Sequence, residues 1–440
     1  MEANEGIRLE MEKEYINRLF DEKLDFYLKS VGAIQIVGPK WCGKSRTAKR
    51  HAKTVIDLMR QSDRDQFIPL AKQAPEVLLD YGERPLLIDE WQVIPFIWNS
   101  LKRKIDESGS FGQFILTGSV TDATLPGSLY GEEKEKHTGT GRIIKKKMRT
   151  LSLFESGDSS GSVSLAGLKN GMFSPCICAR DLSDYAFFLC RGGWPLSIGE
   201  ERSVALQQAK TFYNGLISED FFSLKDVPLR KNEARANKIM RSYSRFISSE
   251  ASTGAIQADL TESGDDVDKN SLSKYLLALN RLFVTDELEA WNVNLRSKTA
   301  IRTKNTRHFV DPSIAAAALR ISPEQLFFDM RTFGLLFESM ALRDLRIYAE
   351  ANDAEVYHYR DKRGREADAV ICFEDGSWAL IEVKLADMDE IAESSAKLKK
   401  LADDIDIGEK RAFLAIVTAT RTAYVDENGV YVIPLGCLRE

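Results

Sequence analysis

Histidine and cysteine are scarce in this sequence of 440 residues. It has four histidines and six cysteines, and the cysteines do not follow the paired spacing of zinc ligands. A closed zinc site is therefore not expected. Cys176 and Cys178, which are one residue apart, could form a redox pair, but we favour the prediction that they are buried reduced thiols.

Long apolar segments are also missing. No apolar run approaches the ~20 residues needed to cross a bilayer, and the polar, acidic first residues exclude a secretory signal. The formal net charge is only −5, so a nucleic-acid surface would have to be a local basic patch. The sequence therefore predicts a soluble, cytoplasmic protein without a membrane partner, and its length predicts about three domains.

A complete phosphate-binding motif is present near the N-terminus. Residues 33–37 are typical of a strand and residues 45–59 of a helix, so the motif lies in the strand–loop–helix context that it requires. Lys44 is expected to reach the β- and γ-phosphates of ATP, and the Ser45 hydroxyl to ligate Mg²⁺. The predicted nucleotide-binding residues of this segment are Gly38, Pro39, Lys40, Trp41, Cys42, Gly43, Lys44, Ser45 and Arg46.

Two later apolar runs end in polar residues that complete such a site. Residues 86–88 precede Asp89 and Glu90, which predicts a buried strand whose carboxyl end opens on the ligand. Asp89 is expected to hold Mg²⁺ mostly through water, and Glu90 to polarise the water that attacks the γ-phosphate. A second run ends at Thr117, where a γ-phosphate could be sensed. The sequence thus predicts an ATPase with ATP and Mg²⁺ as cofactors and Lys44 and Glu90 as catalytic residues.

A basic stretch follows this core. Arg142 or Arg149 could reach a γ-phosphate, either in its own subunit or in a neighbouring one. A solvated run of charge explains the same residues equally well. The homo-oligomer that a contribution from a neighbour requires is possible but not fixed by the sequence.

The chain divides by composition and periodicity into five regions. We predict an N-terminal helix (1–30), an ATPase core (31–180), a helical lid (181–232), a winged-helix-like domain (233–311) and a C-terminal domain (312–440). A Gly-Gly-Trp-Pro turn within residues 191–195 is interpreted as the hinge of the lid. Two helices, near 255–260 and 272–283, followed by a hairpin at 296–310, favour the winged helix.

The predicted hairpin is strongly basic. It has no acidic residue between positions 295 and 308, which in an acidic protein makes it the best candidate for contact with a DNA backbone. An exposed wing that only packs on another domain explains the charge equally well. The predicted DNA-contacting residues are Arg296, Lys298, Arg302, Lys304 and Arg307.

Carboxylates recur on two predicted strands near the C-terminus. Residues 378–384 end in Glu382-Val383-Lys384, and residues 367–373 precede them across a short turn. A hairpin centred on Asp375 would place Asp368 directly opposite Glu382, with Cβ atoms about 5 Å apart. Like charges at that spacing destabilise a sheet unless a cation lies between them.

Glu338 adds a third carboxylate on a helix predicted at 333–348, among apolar residues of the same face. An acid on a helix, an aspartate on one strand and Glu-x-Lys on the next form the PD-(D/E)xK nuclease arrangement. Asp368, Glu382 and Glu338 are then the predicted Mg²⁺ ligands, and Lys384 would position or activate the attacking water. Glu366 would be a spare ligand, and the alternative is a catalytically silent site that binds phosphate or a partner.

The assembled motifs resemble a widespread prokaryotic family of AAA-type ATP-binding proteins, whose C-terminal domain of unknown function is similar to restriction endonucleases. The resemblance spans nearly the whole chain and implies ATP binding, with nuclease activity inferred by similarity. One departure is Trp41, where a polar residue is expected, and we expect its side chain to point outward. The matching segments, besides the phosphate loop, are residues 87–92, 116–119, 151–157, 192–195, 359–361, 364–368 and 381–384.

The predicted fold is therefore α/β. It comprises a P-loop AAA-type parallel-sheet ATPase core, a helical lid, a winged-helix domain and a C-terminal restriction-endonuclease-like α/β domain. The predicted function is an ATPase that couples nucleotide binding and hydrolysis to a DNA-handling, Mg²⁺-dependent nuclease domain. The alternative is a nucleotide-dependent switch that docks a protein partner and carries a silent nuclease-like domain.

Overall fold

Two large β-sheets organise the part of the chain that the structure describes. The computed structural model describes residues 14–119, 141–224, 229, 231–291, 304–385, 387–405 and 410–440. A parallel sheet lies in the first part of the chain, and a mixed sheet is built mainly from the last part. Within these residues, no helix is both long and apolar enough to cross a membrane.

The first sheet has five strands and confirms the predicted parallel-sheet core. Its elements are α1 (Leu19–Leu28), β1 (Ala33–Val37), α2 (Lys44–His51), β2 (Thr54–Asp57), α3 (Gln61–Gln73), α4 (Pro75–Leu79), β3 (Leu86–Asp89), α5 (Trp98–Ser108), β4 (Phe114–Gly118) and β5 (Ile143–Lys147). The strands lie in the order β2-β3-β4-β1-β5, and all neighbours are parallel. The carboxyl ends of β1, β3 and β4 therefore share one edge, where a ligand crevice is expected.

Helix α2 is shorter than the sequence indicated. We predicted a helix over residues 45–59, but α2 ends at His51 and residues 54–57 form β2, which pairs in parallel with β3. Val55 and Ile56 are β-branched and favour a strand. Ile56 is fully buried in the core of the sheet, so tertiary pairing decides the conformation here.

Helices dominate the middle of the chain. Its elements are β6 (Val163–Ser164), α6 (Leu165–Lys169), β7 (Cys176–Ile177), α7 (Leu182–Arg191), α8 (Arg202–Gly215), a π-helical turn (Leu216–Asp220), α9 (Phe221–Ser223), α10 (Glu233–Arg245), α11 (Thr253–Glu262), α12 (Lys269–Arg281) and α13 (Ser313–Leu319). Helices α11 and α12 coincide with the two predicted for a winged helix. Thr306 and Phe309 of the predicted hairpin form bridges with Leu288 and Thr285, which precede it in the chain. Residues 296–303 of the predicted hairpin lie outside the described ranges.

The Gly-Gly-Trp-Pro turn is a tightly packed junction. The Gly193 N–H donates a hydrogen bond to the Asp311 carboxylate at 2.9 Å, and the Trp194 side chain is buried. A Cβ atom on Gly193 would lie 2.1 Å from the Leu151 carbonyl oxygen, so only glycine fits this position. The turn that we predicted to be a hinge is thus packed on both sides in this structure, and the hinge itself stays a prediction.

The second sheet has seven strands, in the order β7, β12 (Thr422–Val425), β13 (Tyr431–Pro434), β11 (Arg411–Thr418), β10 (Trp378–Lys384), β9 (Glu366–Phe373) and β8 (Ala354–Arg360). Its β9–β10 hairpin has the predicted register, because Ile381 pairs with Ala369 and Leu380 with Val370. The turn is fixed by Asp375, whose carboxylate accepts a hydrogen bond from the Ser377 N–H at 3.0 Å. The remaining elements of this part are α14 (Met330–Ala351), α15 (Met388–Asp404) and β14 (Leu438–Arg439).

Residues 151–180, which we assigned to the ATPase core, pair instead with the C-terminal part. Strand β6 pairs with β14, and β7 pairs with β12 at the edge of the seven-stranded sheet. Leu153, Leu165 and Leu168 are buried in the same apolar core as the α14 residues Phe337 and Met340. Short strands of two residues leave no periodic pattern in a sequence, which is why this pairing was not predicted.

Candidate nucleotide site and C-terminal carboxylate cluster

The phosphate-binding loop connects β1 to α2. Gly38 and Gly43 have φ values of 152° and 102°, which residues with a Cβ atom rarely adopt. Lys44 is buried, and its Nζ donates hydrogen bonds to the carbonyl oxygens of Gly38 at 2.9 Å and Pro39 at 2.7 Å. The ammonium group therefore already lies over the loop in which phosphate oxygens would bind.

The neighbouring residues of the loop point in opposite directions. Trp41 is 44% exposed, which confirms the prediction that it points outward, whereas Cys42 is fully buried. The Cys42 thiol lies 3.5 Å from the carbonyl oxygen of Met148, and all six cysteines are free thiols. Cys178 is buried as predicted, but Cys176 is only half-buried.

The predicted Mg²⁺ ligands lie together at the shared edge of the sheet. The Ser45 hydroxyl donates a hydrogen bond to Asp89 Oδ1 at 2.8 Å, and the Thr117 hydroxyl donates to the same oxygen. Asp89 is 2% exposed, and Lys49 Nζ lies 3.8 Å from its other carboxylate oxygen. A carboxylate and two hydroxyls are hard oxygen donors of the kind that Mg²⁺ takes, usually together with water.

Glu90 occupies a strained backbone conformation beside this group. Its φ of 58° and ψ of 46° lie in the left-handed region, where residues other than glycine and asparagine are uncommon. The Gln92 side-chain amide donates a hydrogen bond to its carboxylate. Burial raises the pKa of Glu90, and the charges of Lys44 and Lys40 oppose that rise. Glu90 is thus a half-buried carboxylate whose pKa is lowered by two lysines of the phosphate loop, against the larger effect of burial.

The guanidinium groups of both candidate arginines are engaged in ion pairs with carboxylates. Arg142 precedes β5 and its neighbour Ile143 pairs with Ala33, so Arg142 lies at the amino end of the sheet, opposite the nucleotide edge. Its Nε donates to Asp106 at 2.6 Å. Arg149 is bound to the carboxylates of Asp286 and Glu350. The prediction that Arg142 reaches a γ-phosphate within its own subunit is therefore wrong.

A cavity of about 240 Å³ adjoins the phosphate-binding helix. Arg46, which we predicted to bind nucleotide, is exposed and lies on its wall. The opposite walls come from the segment before α1 and from the turn that follows the Gly-Gly pair. The other lining residues are Glu14, Tyr15, Ile16, Arg18, Gly43, Thr47, Leu151, Pro195 and Ile198.

Arg18 donates a hydrogen bond to the backbone of the phosphate loop, and no motif in the sequence marks this residue. Its guanidinium donates to the carbonyl oxygens of Cys42 at 2.9 Å, Arg149 at 2.9 Å and Thr150 at 3.2 Å. Its Nε binds the Glu155 carboxylate at 3.0 Å, and both side chains are almost completely buried. The residue joins segments far apart in sequence, so only the fold reveals it.

The C-terminal carboxylates lie at one end of the β9–β10 hairpin. The recorded pairs end at Ile381 and Ala369, so Asp368 and Glu382 are the next residues of the two strands. The Asp368 carboxylate accepts a hydrogen bond from the Val383 N–H at 2.7 Å. Lys384 Nζ lies 3.0 Å from Glu382 Oε1. The two strands thus bring Asp368, Glu382 and Lys384 together, as the sequence predicted.

Electrostatics link Glu338 to this group. Burial raises the pKa of Glu338, and the charges of Asp368 and Glu382 raise it further. Burial also raises the pKa of Asp368, with Glu382 adding to the rise. The charge of Lys384 lowers the pKa of both Glu338 and Asp368. Burial lowers the pKa of Lys384 itself, but the charges of Glu382 and Asp368 outweigh burial and raise it. Among the described residues, however, no group of three or more acidic, histidine or cysteine side chains could hold a metal ion as it stands.

Only part of the predicted basic wing falls within the described residues. Lys304 is exposed. Arg307 is 8% exposed, donates to the Ala251 carbonyl oxygen at 2.6 Å and pairs with Glu287 at 3.2 Å. Arg307 is therefore a structural residue, and its prediction as a DNA contact is wrong. Three further residues of the predicted contact lie outside the described ranges: Arg296, Lys298 and Arg302.

Comparison with known proteins separates three regions of the chain. Residues 31–156 match the family model of an AAA domain. This match confirms the predicted AAA-type ATP-binding core. Residues 182–325 and 333–438 match two domains of unknown function, DUF8612 and DUF4143.

Eighteen chains of solved structures are similar to this one. A Walker-type ATPase of Pyrococcus abyssi is 15% identical, with 70% of this chain and 96% of that chain covered and a TM-score of 0.39. A TM-score at this level supports no conclusion about fold or function. Comparison with curated proteins gives no match.

Proposed function

We propose that this protein is an ATPase whose nucleotide state controls a C-terminal domain that cleaves DNA with a divalent cation. The observation that carries the second half is the end of the hairpin, where the Asp368 carboxylate accepts a hydrogen bond from the Val383 N–H and Lys384 pairs with Glu382. The order α14-β8-β9-β10-α15-β11 also supports it, because a helix, an antiparallel three-stranded meander and a helical crossover to a parallel strand surround these residues.

In the ATPase core, the triphosphate would bind to the loop after β1. Lys44 would exchange its bonds to loop carbonyls for phosphate oxygens, and Ser45 and Asp89 would hold Mg²⁺, which neutralises charge on the phosphates. Glu90 would orient the attacking water, and Thr117 would respond to the γ-phosphate through its bond to Asp89.

The 240 Å³ cavity is suited to the nucleotide base. It begins at Gly43 and Thr47, one turn from the phosphate loop, and its walls include the apolar side chains of Ile16, Leu151 and Ile198. Apolar walls with a few polar groups are typical of pockets for flat organic ligands. We therefore assign this cavity to adenine.

In the C-terminal domain, Asp368 and Glu382 would hold the divalent cation, and Glu338 would complete its acidic surroundings. The chemistry of the donors fits a divalent cation, because carboxylate oxygens are ligands that Mg²⁺ takes and like charges on neighbouring strands repel unless a cation lies between them. The cation would supply Lewis-acid activation of a phosphodiester. Lys384, which stays protonated because its pKa is raised, would position the attacking water and stabilise negative charge.

A chain of buried contacts supports coupling between the two sites. Arg18 joins the phosphate loop to Glu155, and two residues earlier the Leu153 N–H donates to the Asp344 carboxylate at 3.0 Å. Asp344 lies on α14, the same helix that carries Glu338. A shift of the phosphate loop can therefore reach the C-terminal cluster through one continuous helix.

A nuclease assay with the wild type and three variants tests this function. Linear duplex and single-stranded DNA would be incubated with Mg²⁺ or Mn²⁺, with and without ATP. We expect Asp368→Asn to reduce cleavage by about 100-fold or more while ATP turnover persists, and Lys44→Ala to remove the effect of ATP. Glu374→Gln is the matched control, because this exposed carboxylate lies at the opposite end of β9; it should cleave like the wild type.

Two outcomes would contradict the nuclease assignment. Cleavage that survives Asp368→Asn would mean that the assigned residues are not the site. Absence of cleavage under every condition, with ATP turnover intact, would favour a nucleotide-dependent switch that docks a protein partner. The pairing of Lys384 with Glu382 is the observation that favours this second candidate, because it already neutralises one of the carboxylates.

A further inference from the structure

The tip of the phosphate loop is bound to the lid. Lys40 Nζ lies 2.5 Å from Asp220 Oδ1, and the Trp41 ring packs edge-on against Phe212 of α8, with ring centroids 6.0 Å apart. Phe212 in turn stacks on Trp194 at 4.2 Å. Two adjacent loop residues therefore contact two turns of the lid helix, one by charge and one by aromatic packing.

Asp220 lies in an unusual piece of helix. It is the last residue of the π-helical turn that joins α8 to α9. Such turns are rare, carry one extra residue per turn and occur frequently at functional sites. The Asp220 side chain is 15% exposed and the Lys40 side chain 49% exposed. The Asp220 side chain is thus mostly buried in the lid, whereas the half-exposed Lys40 side chain has room to move away from it.

Lys40 lies in the phosphate loop itself, four residues before Lys44. The charge of Lys40 lowers the pKa of Glu90, the residue proposed to orient the attacking water. Lys44 is buried and bound to loop carbonyls, and Lys40 is the second lysine of the same loop. The several negative charges of ATP would attract its ammonium more strongly than the single carboxylate of Asp220.

We propose that Lys40 is a second phosphate-binding lysine, which Asp220 holds until ATP binds and which then stabilises the γ-phosphate in its own subunit. This inference rests on the proposed ATPase function. It assigns to Lys40 the role that the sequence suggested for Arg142. The release of Lys40 from Asp220 would also break the ion pair between the loop tip and the lid. Nucleotide binding would thereby change the contacts of helices α8 and α9.

Steady-state ATP hydrolysis by single and double variants tests the proposal. We expect Lys40→Met to lower kcat by about tenfold or more, because a positive group at the developing charge is lost. We expect Lys40→Arg to restore most of kcat. Asp220→Asn should lower KM for ATP by about twofold to fivefold, the range that an exposed ion pair allows, with kcat kept. Lys397→Met, which removes a lysine from the exposed pair with Glu393 on α15, should behave like the wild type.

The double variant separates this mechanism from a general effect on the loop. If Asp220 acts only through Lys40, Asp220→Asn should change nothing further in the Lys40→Met background. An equal fall of KM in both backgrounds, or wild-type kcat in Lys40→Met, would overturn the proposal. Absence of ATP turnover in the wild type would instead refute the proposed function. Affinity for a fluorescent ATP analogue would then decide on Lys40 alone: Lys40→Met should bind it more weakly, and unchanged affinity would overturn the proposal.

Discussion

Replacement of Lys44 by methionine is expected to lower ATP turnover by about 1,000-fold or more. The Lys44 side chain is buried in the loop. Its ammonium group donates hydrogen bonds to two carbonyl oxygens of the loop, those of Gly38 and Pro39. Methionine keeps most of the volume of the side chain but removes both the charge and the donors. Release of phosphate by purified protein at saturating ATP measures the effect.

The control for this variant is Lys53→Met. Lys53 lies two residues after α2, is largely exposed and pairs only loosely with Glu83 at 3.9 Å. Its replacement should leave turnover within about twofold of the wild type, as is usual for exposed pairs. Equal turnover in Lys44→Met and Lys53→Met would show that phosphate is not bound at this loop.

Replacement of Arg18 by alanine is expected to lower the free energy of unfolding by about 3–5 kcal/mol. The Glu155 carboxylate would remain buried without its cation, and three carbonyl oxygens would lose a charged donor. Unfolding in urea, followed by a signal from the ATPase core, measures the loss. Glu155→Gln in the same background should recover part of it, because no lone charge would then remain in the interior.

Arg103→Ala provides the contrast. Arg103 lies on α5, is 59% exposed and pairs with two carboxylates at the surface, so its replacement should cost less than about 1 kcal/mol. A comparable loss in both variants would mean that the buried contacts of Arg18 are not what stabilises the loop.

Local motifs made much of the nucleotide site predictable. The phosphate loop needs glycine at fixed positions and a lysine at its end, and the apolar runs before Asp89 and Thr117 can only be buried strands. The β9–β10 register was predictable for a similar reason, because turn residues around Asp375 fix which residues face each other. These signals all lie within a few residues of the side chains that they position.

The rest depends on contacts between distant segments. Arg142 and Arg307 look alike in the sequence, as cations in basic stretches, yet the fold sends one to the far edge of the sheet and buries the other. Arg18 and Asp220 carry no motif, and their roles arise only when the phosphate loop is packed against them. Charge alone therefore did not distinguish a ligand contact from an internal ion pair.

The pairing of β6 with β14 and of β7 with β12 has a consequence for how the chain is synthesised and divided. The ribosome makes residues 163–177 long before their partner strands exist, so this stretch must wait, unpaired, while the helices and most of the second sheet emerge. A fragment that starts at residue 312 would expose the edges of β12 and β14 and invite aggregation. A fragment that starts near residue 157 would retain β6 and β7 with their partner strands. It is therefore the better fragment in which to study the C-terminal chemistry without the ATPase core.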